Sequence, residues 1–117
     1  MNAGQQLYPI LSPLVDGRVF PMQRWEGADS NQPYIIYTPI DTIPDSTMDG
    51  FSGHEYARVQ IDIYHHHYDQ LDVLANQVIA AIQNQIPRAE FLNRQHLIDN
   101  DSQLYRQSMD WQLWTST

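Results

Sequence analysis

Apolar residues recur along the chain with two different periods, and those periods locate the elements. Between Asp69 and Ile86, the residues Leu71, Leu74, Ala75, Val78, Ile82 and Ile86 fall mostly three or four apart, on one stripe of an amphipathic helix. Asp69 stands where a side-chain oxygen can cap the first N–H groups, Asp72 is expected in the first turn, and Pro87 stops the helix. From His54 to His66 the period is two. Ala57, Val59, Ile61 and Ile63 share one face, and Tyr56, Arg58, Gln60, Asp62 and Tyr64 share the other, as in a half-buried strand. Leu104 to Thr115 alternates in the same way, with Tyr105, Met109, Trp111 and Leu113 on one side and Arg106, Ser108, Asp110 and Gln112 on the other.

The remaining segments carry weaker patterns. Leu7, Ile10, Leu11 and Leu14 have helical spacing within Asn2 to Val15, but Pro9 and Pro13 interrupt it, so a short or kinked helix is expected. Asp16-Gly17 ends it, with Gly17 suited to a left-handed cap. Val19-Phe20 reads as a brief extended piece, and Met22 to Gln32 as a loop. Tyr34 to Ile43 is rich in β-branched and aromatic residues and predicts a strand, which Pro39 must place at an edge, at a bulge or at a break. Pro44 to Gly53 is polar and rich in turn formers, Asp49-Gly50 above all, and reads as a loop. Ala89 to Ile98 is a weaker strand, followed by a turn at Asp99-Asn100-Asp101.

This order of elements predicts a single α+β domain over residues 1–117, with an antiparallel or mixed sheet of four to five strands and two helices packed on one face. One register follows from charge. If the strand at 55–66 runs antiparallel to the last strand, Arg58 opposite Asp110 also sets Asp62 opposite Arg106, Val59 beside Met109 and Ile63 beside Tyr105.

Composition narrows the function classes. The 117 residues include 14 acidic side chains, six basic ones that are all arginine, and a net charge of −8. That balance argues against a protein that grips phosphate backbones. With no cysteine, disulfides, thiolate catalysis and Cys-based zinc sites are excluded. No apolar run reaches the roughly 20 residues of a membrane helix, and MNAGQQLYPI has neither the basic nor the apolar part of a secretory signal, so no membrane partner is expected.

Candidate chemistry centres on His65-His66-His67. Along a strand His65 and His67 point the same way, and with Asp69 they could ligate zinc, copper or nickel, which makes a small metal- or ligand-binding protein the alternative reading. No Cys, Glu or distant His pair completes a tetrahedral set, so the run reads better as a polar strand end leading into a helix, with no metal and no cofactor expected. His54 and His96 are isolated. The carboxylate pairs Asp41/Asp45 and Asp99/Asp101 lie in turn-like segments, where nothing separates their pKa values for acid–base work. Gly50-Phe51-Ser52-Gly53 is too short for a phosphate loop and lacks its lysine. No nucleophile motif is present, and no enzyme is predicted. Most Tyr and Trp residues fall at core periodicity, so packing and protein interfaces account for them better than base stacking.

Several segments, taken in order, resemble the tail-completion proteins (tail-to-head joining or tail-terminator proteins) of long-tailed bacteriophages and prophages. They are Leu14-Val15-Asp16-Gly17-Arg18-Val19-Phe20-Pro21, then Gln32-Pro33-Tyr34-Ile35-Ile36-Tyr37, then Ala57 to Tyr64 followed by Tyr68-Asp69 and an alanine-containing helix, and finally Leu104 to Trp111. Shared order and spacing over about residues 5–115 carry the resemblance. Pro9, Pro13, the histidine run and the stretch from Pro87 to Asp101 depart from the family's pattern. The resemblance implies a non-enzymatic virion protein, assembled in the host cytoplasm, that forms a ring, commonly hexameric, at the head-proximal end of the tail. Its implied partners are copies of itself, the tail tube protein and the head-completion or connector protein, with DNA passing through unbound. A tail-tube or head-completion subunit of the same fold, or a bacterial secretion-tube homologue, is the neighbouring possibility. The segment 44–53 is the expected interface loop, mobile in the free subunit and ordered on docking. Thr47, Met48, Asp49, Gly50 and Phe51 form its tip, and Met48 and Phe51 are its apolar anchors.

Overall fold

The computed structural model describes residues 3–23, 32–47, 50–86, 88–99 and 104–116. Helix α1 (Ala3–Leu11) contains Pro9 and passes into a 3-10 turn at Ser12–Leu14, where Pro13 occupies the first turn. Proline at position 9 removes one i→i−4 bond, so this helix stays short, as its sequence predicts. The chain then reverses through two left-handed residues, Asp16 (φ 51°) and Gly17 (φ 83°), and the Gly17 N–H donates to the Ser12 carbonyl at 2.9 Å. A side chain at 17 would carry the steric penalty that glycine escapes.

Five strands follow in the order β1 (Val19–Pro21), β2 (Tyr34–Thr47), β3 (Gly50–His65), β4 (Glu90–Asp99) and β5 (Leu104–Ser116), with helix α2 (Tyr68–Gln85) between β3 and β4. The sheet order is β1-β2-β3-β5-β4. Strand β1 runs parallel to β2, and every other pair is antiparallel. Both helices cover one face. Leu7 and Leu11 of α1 and Leu71, Leu74, Ala75, Val78 and Ile82 of α2 bury themselves against Ala57, Val59, Ile61, Ile63, Met109, Trp111 and Leu113. Each such aliphatic side chain contributes about 1.5–3 kcal/mol when fully buried, so the helical stripe is what fixes α2 to the sheet. A smaller cluster on the opposite face joins Phe20, Tyr34, Ile36 and Leu104, with Tyr64 stacked on Tyr34 at 4.7 Å between ring centroids.

Three expectations require correction. The segment 44–53 is not a loop. Strands β2 and β3 run on to Thr47 and Gly50, which face each other in the ladder, while Met48 and Asp49 lie outside the described residues. Its turn formers mark irregularities instead, since the register shifts between Pro44 and Ser46 while the partner strand advances from Glu55 to Phe51, across Gly53. A second shift, between Pro39 and Asp41, leaves Ile40 as an extra residue and is the bulge that Pro39 requires. The molecule is correspondingly long, 51 × 26 × 25 Å, because a 16-residue strand spans about 50 Å end to end at about 3.3 Å per residue.

The second correction is the β3–β5 register. The strands do pair antiparallel on the expected faces, but Gln60 stands opposite Asp110 and Tyr64 opposite Arg106, a slip of two residues from the register set by charge. A slip of two preserves which residues face the core, so burial allows it. The Asp62–Arg106 pair survives as a diagonal contact, with Nη2 to Oδ1 at 3.0 Å. The third concerns the start of α2. His67, in extended conformation and without a side-chain cap bond, is the N-cap, and Asp69 is the second helical residue. Asp72 lies beyond the first turn and has other partners.

Candidate functional site

At the end of β3 the backbone must turn from sheet into α2, and the three histidines make that turn. His65 is only 8% exposed, and its Nδ1 accepts the His67 backbone N–H at 3.0 Å. That bond fixes the neutral ring as the Nε2–H tautomer. Burial pushes the His65 pKa below 6.5, and the neighbouring His67 and His66 rings push it the same way. The ring centroids of His65 and His67 are 5.8 Å apart. His66 and His67 are exposed, and with His65, Gln32, Pro33 and Gln70 they line an open cleft of about 350 Å³. Asp69 is exposed on the first turn of α2. Among the described residues, no three His, Cys, Asp or Glu side chains are placed to hold a metal ion. The corner's one shown role is to close the strand-to-helix turn.

Two polar clusters tie the elements together. Under α2, Asp72 accepts from the Arg94 guanidinium of β4 at 2.5 Å and from the Gln107 amide of β5 at 3.2 Å, while Arg94 also donates to Asn76 at 3.0 Å. Gln107 is fully buried on the core face of β5, between Tyr105 and Met109. In the sequence it is marked only as a polar residue at a position of apolar parity. On the opposite face Asp62, 4% exposed, accepts from Arg106 Nε at 3.1 Å and from Gln60 Nε2 at 3.0 Å. Arg106 lies over Tyr64, 5.8 Å from the ring centroid. A carboxylate buried on a sheet face must be held by such donors, because an unpaired one would cost several kcal/mol.

The other candidates are dispersed. His54, Asp41, Asp45 and Asp99 lie on strands β3, β2, β2 and β4, and Asp101 is outside the described residues. His96 is exposed on β4, its ring 6.4 Å from that of Tyr68. Of the expected interface tip, Thr47, Gly50 and Phe51 have strand backbone, and Met48 and Asp49 are among the undescribed residues. Between 40 and 57 the β2–β3 hairpin carries Asp41, Asp45, Asp49 and Glu55 and no arginine or lysine. No described helix is long and apolar enough to cross a membrane.

The profile of a family described as "Tail completion protein gp17" matches residues 9–116. Among solved structures, a chain from the "Virion of native gene transfer agent (GTA) particle" has the same fold. Its TM-score is 0.67 at 14% identity, over 98% of this chain and 95% of that one. No curated protein matches the chain.

Proposed function

The chain belongs to the tail completion protein gp17 family, and from that premise we propose that it closes the head-proximal end of a phage or phage-like tail. It is a structural component of the virion tail, built to assemble with other tail or head proteins. In the proposed arrangement copies of the chain form a ring, commonly hexameric in such proteins, which caps the tail tube and presents a surface to the head-completion or connector protein. The observation that carries this reading is the family match across nearly the whole chain, residues 9–116. Two features of the molecule are in keeping with it. The rigid sheet with its helix layer is a body that can repeat around a ring without changing shape. The strands of the β2–β3 hairpin, 14 and 16 residues, are longer than α2, whose 18 residues span about 27 Å at about 1.5 Å per residue, and we assign the hairpin tip, Thr47 to Phe51, to contact with a neighbouring component. Tail assembly is non-enzymatic in this reading, and no cofactor is required.

Removal of the gene from the producing genome tests the proposal. Heads and tails should accumulate unjoined, and the wild-type chain supplied in trans should restore complete particles. The chain lacking Thr47 to Ser52 should fold, with an unchanged far-ultraviolet spectrum, but fail to restore joining. Complete particles in the absence of the chain would refute the assigned role, and full rescue by the shortened chain would remove the hairpin tip from it.

A further inference from the structure

A sheet that is not closed into a barrel has two edges, and here they differ in a way that fits them to each other. Among the described residues strand β4 pairs only with β5, so its outer edge, ten residues from Glu90 to Asp99, offers ladder groups that no described strand takes up. It has no proline and no lysine; its protection is limited to a register shift between Phe91 and Asn93, which leaves Leu92 as an extra residue, and to the charges of Glu90, Arg94 and Asp99. Leu92, Leu97 and Ile98 are exposed along it, Ile98 by 61%, and Tyr68 stands beside it, 52% exposed and edge-on to Tyr105 at 5.7 Å. These are four of the eight large apolar side chains exposed among the described residues.

At the far side of the sheet, β1 covers β2 only from Ile35 to Tyr37, and among the described residues β2 has no outer partner beyond that point. Met22, 66% exposed, and Ile40, 56% exposed at the bulge, lie on this edge. From Val19 to Gln23 and from Tyr34 to Ile40 the chain carries no charged residue. Two molecules of charge −8 repel where carboxylates meet carboxylates, so the β4 edge, which carries Glu90, Arg94 and Asp99, can approach a second copy most cheaply at an edge that bears no charge.

We propose that the β4 edge of one copy docks on the β1–β2 edge of the next, with Leu92, Leu97 and Ile98 packed against Met22 and Ile40. Opposite edges of one sheet cannot satisfy each other within a molecule. Joined head to tail between molecules, they generate a heterologous contact, which repeats around a ring when the rotation closes. Pro21 and Pro39 have no N–H, so the contact rests on apolar packing with an interrupted ladder rather than on a continuous sheet. The inference deepens the ring reading above and depends on it.

The test exploits the absence of native cysteine. Ile40→Cys, Leu97→Cys and the double variant are incorporated into particles and treated with a short bis-maleimide cross-linker, and the copy number of the chain per particle is measured in parallel. A head-to-tail contact predicts a ladder of covalent oligomers for the double variant and only monomers for each single variant. An equimolar mixture of the two single variants should give dimers and no higher species. If the copy number shows several chains per particle but the double variant stays monomeric, the edge contact is wrong and the ring survives. One copy per particle refutes the ring and the contact together. Dimers from a single variant refute the head-to-tail arrangement, because they require like edges to meet.

Discussion

His65 shows how a single side chain couples the fold to pH. Its ring is neutral in the folded protein because burial and two adjacent histidines oppose a proton, while in the unfolded chain it protonates at its ordinary value near 6.5. The unfolded state therefore takes up the proton first as pH falls. Stability contributed by the neutral ring is complete above about 6.5 and is lost as pH drops through that value toward the lowered folded pKa. Thermal melts should show a decline below about pH 6.5 that is reduced in His65→Gln, whose side-chain oxygen can still accept the His67 N–H. Equal declines in the two proteins would assign the effect elsewhere. Asp62 teaches a different lesson at the same scale. Opposite charges were a sound guide to which residues meet, because Asp62 and Arg106 do meet. They were a poor guide to register, since a long arginine reaches a diagonal neighbour as readily as a direct one.

Among the elements, α2 has the most predictable structure and the clearest test. Its apolar stripe gave its length to within a residue at each end and its buried face in full, because a 3.6-residue period over five turns has few other readings. Ile82 is fully buried under it. Ile82→Asp should unfold the domain, as an unpaired buried charge costs several kcal/mol against a total stability of roughly 5–15. The milder Ile82→Ala should lower stability by about 2–5 kcal/mol in a denaturant titration. A normal melt for Ile82→Asp would contradict the packing of α2 on the sheet. The alternating faces of β3 and β5 were legible for the same reason, and so was the bulge beside Pro39, which follows from a missing N–H. The outer half of the β2–β3 hairpin was not. Its residues are paired in a backbone ladder, with Pro44 and Gly53 at a register shift, and backbone bonding leaves no periodic trace in the side chains. The Asp72–Arg94–Gln107 cluster was equally hidden, because it joins three elements whose mutual placement local spacing does not encode.

For the whole molecule, the distribution of charge bears on what would pass through the proposed ring. The described helices carry only Asp69 and Asp72, whereas the hairpin carries four carboxylates and no arginine or lysine between residues 40 and 57. In the proposed ring duplex DNA would have to slide past without adhering, and six-fold repetition would multiply any arginine-rich lumen into a trap. An excess of acid repels the duplex instead. The protein should therefore show no binding to duplex DNA in a gel-shift titration at physiological salt, and micromolar affinity would contradict an acidic conduit. The central claim is a position and a geometry, so a cryo-electron microscopy reconstruction of intact particles tests it most directly. The account predicts one closed ring of this chain between the last ring of the tail tube and the head connector, with neighbouring subunits meeting through opposite sheet edges. The chain repeated along the length of the tube, or absent from the joint, would contradict it.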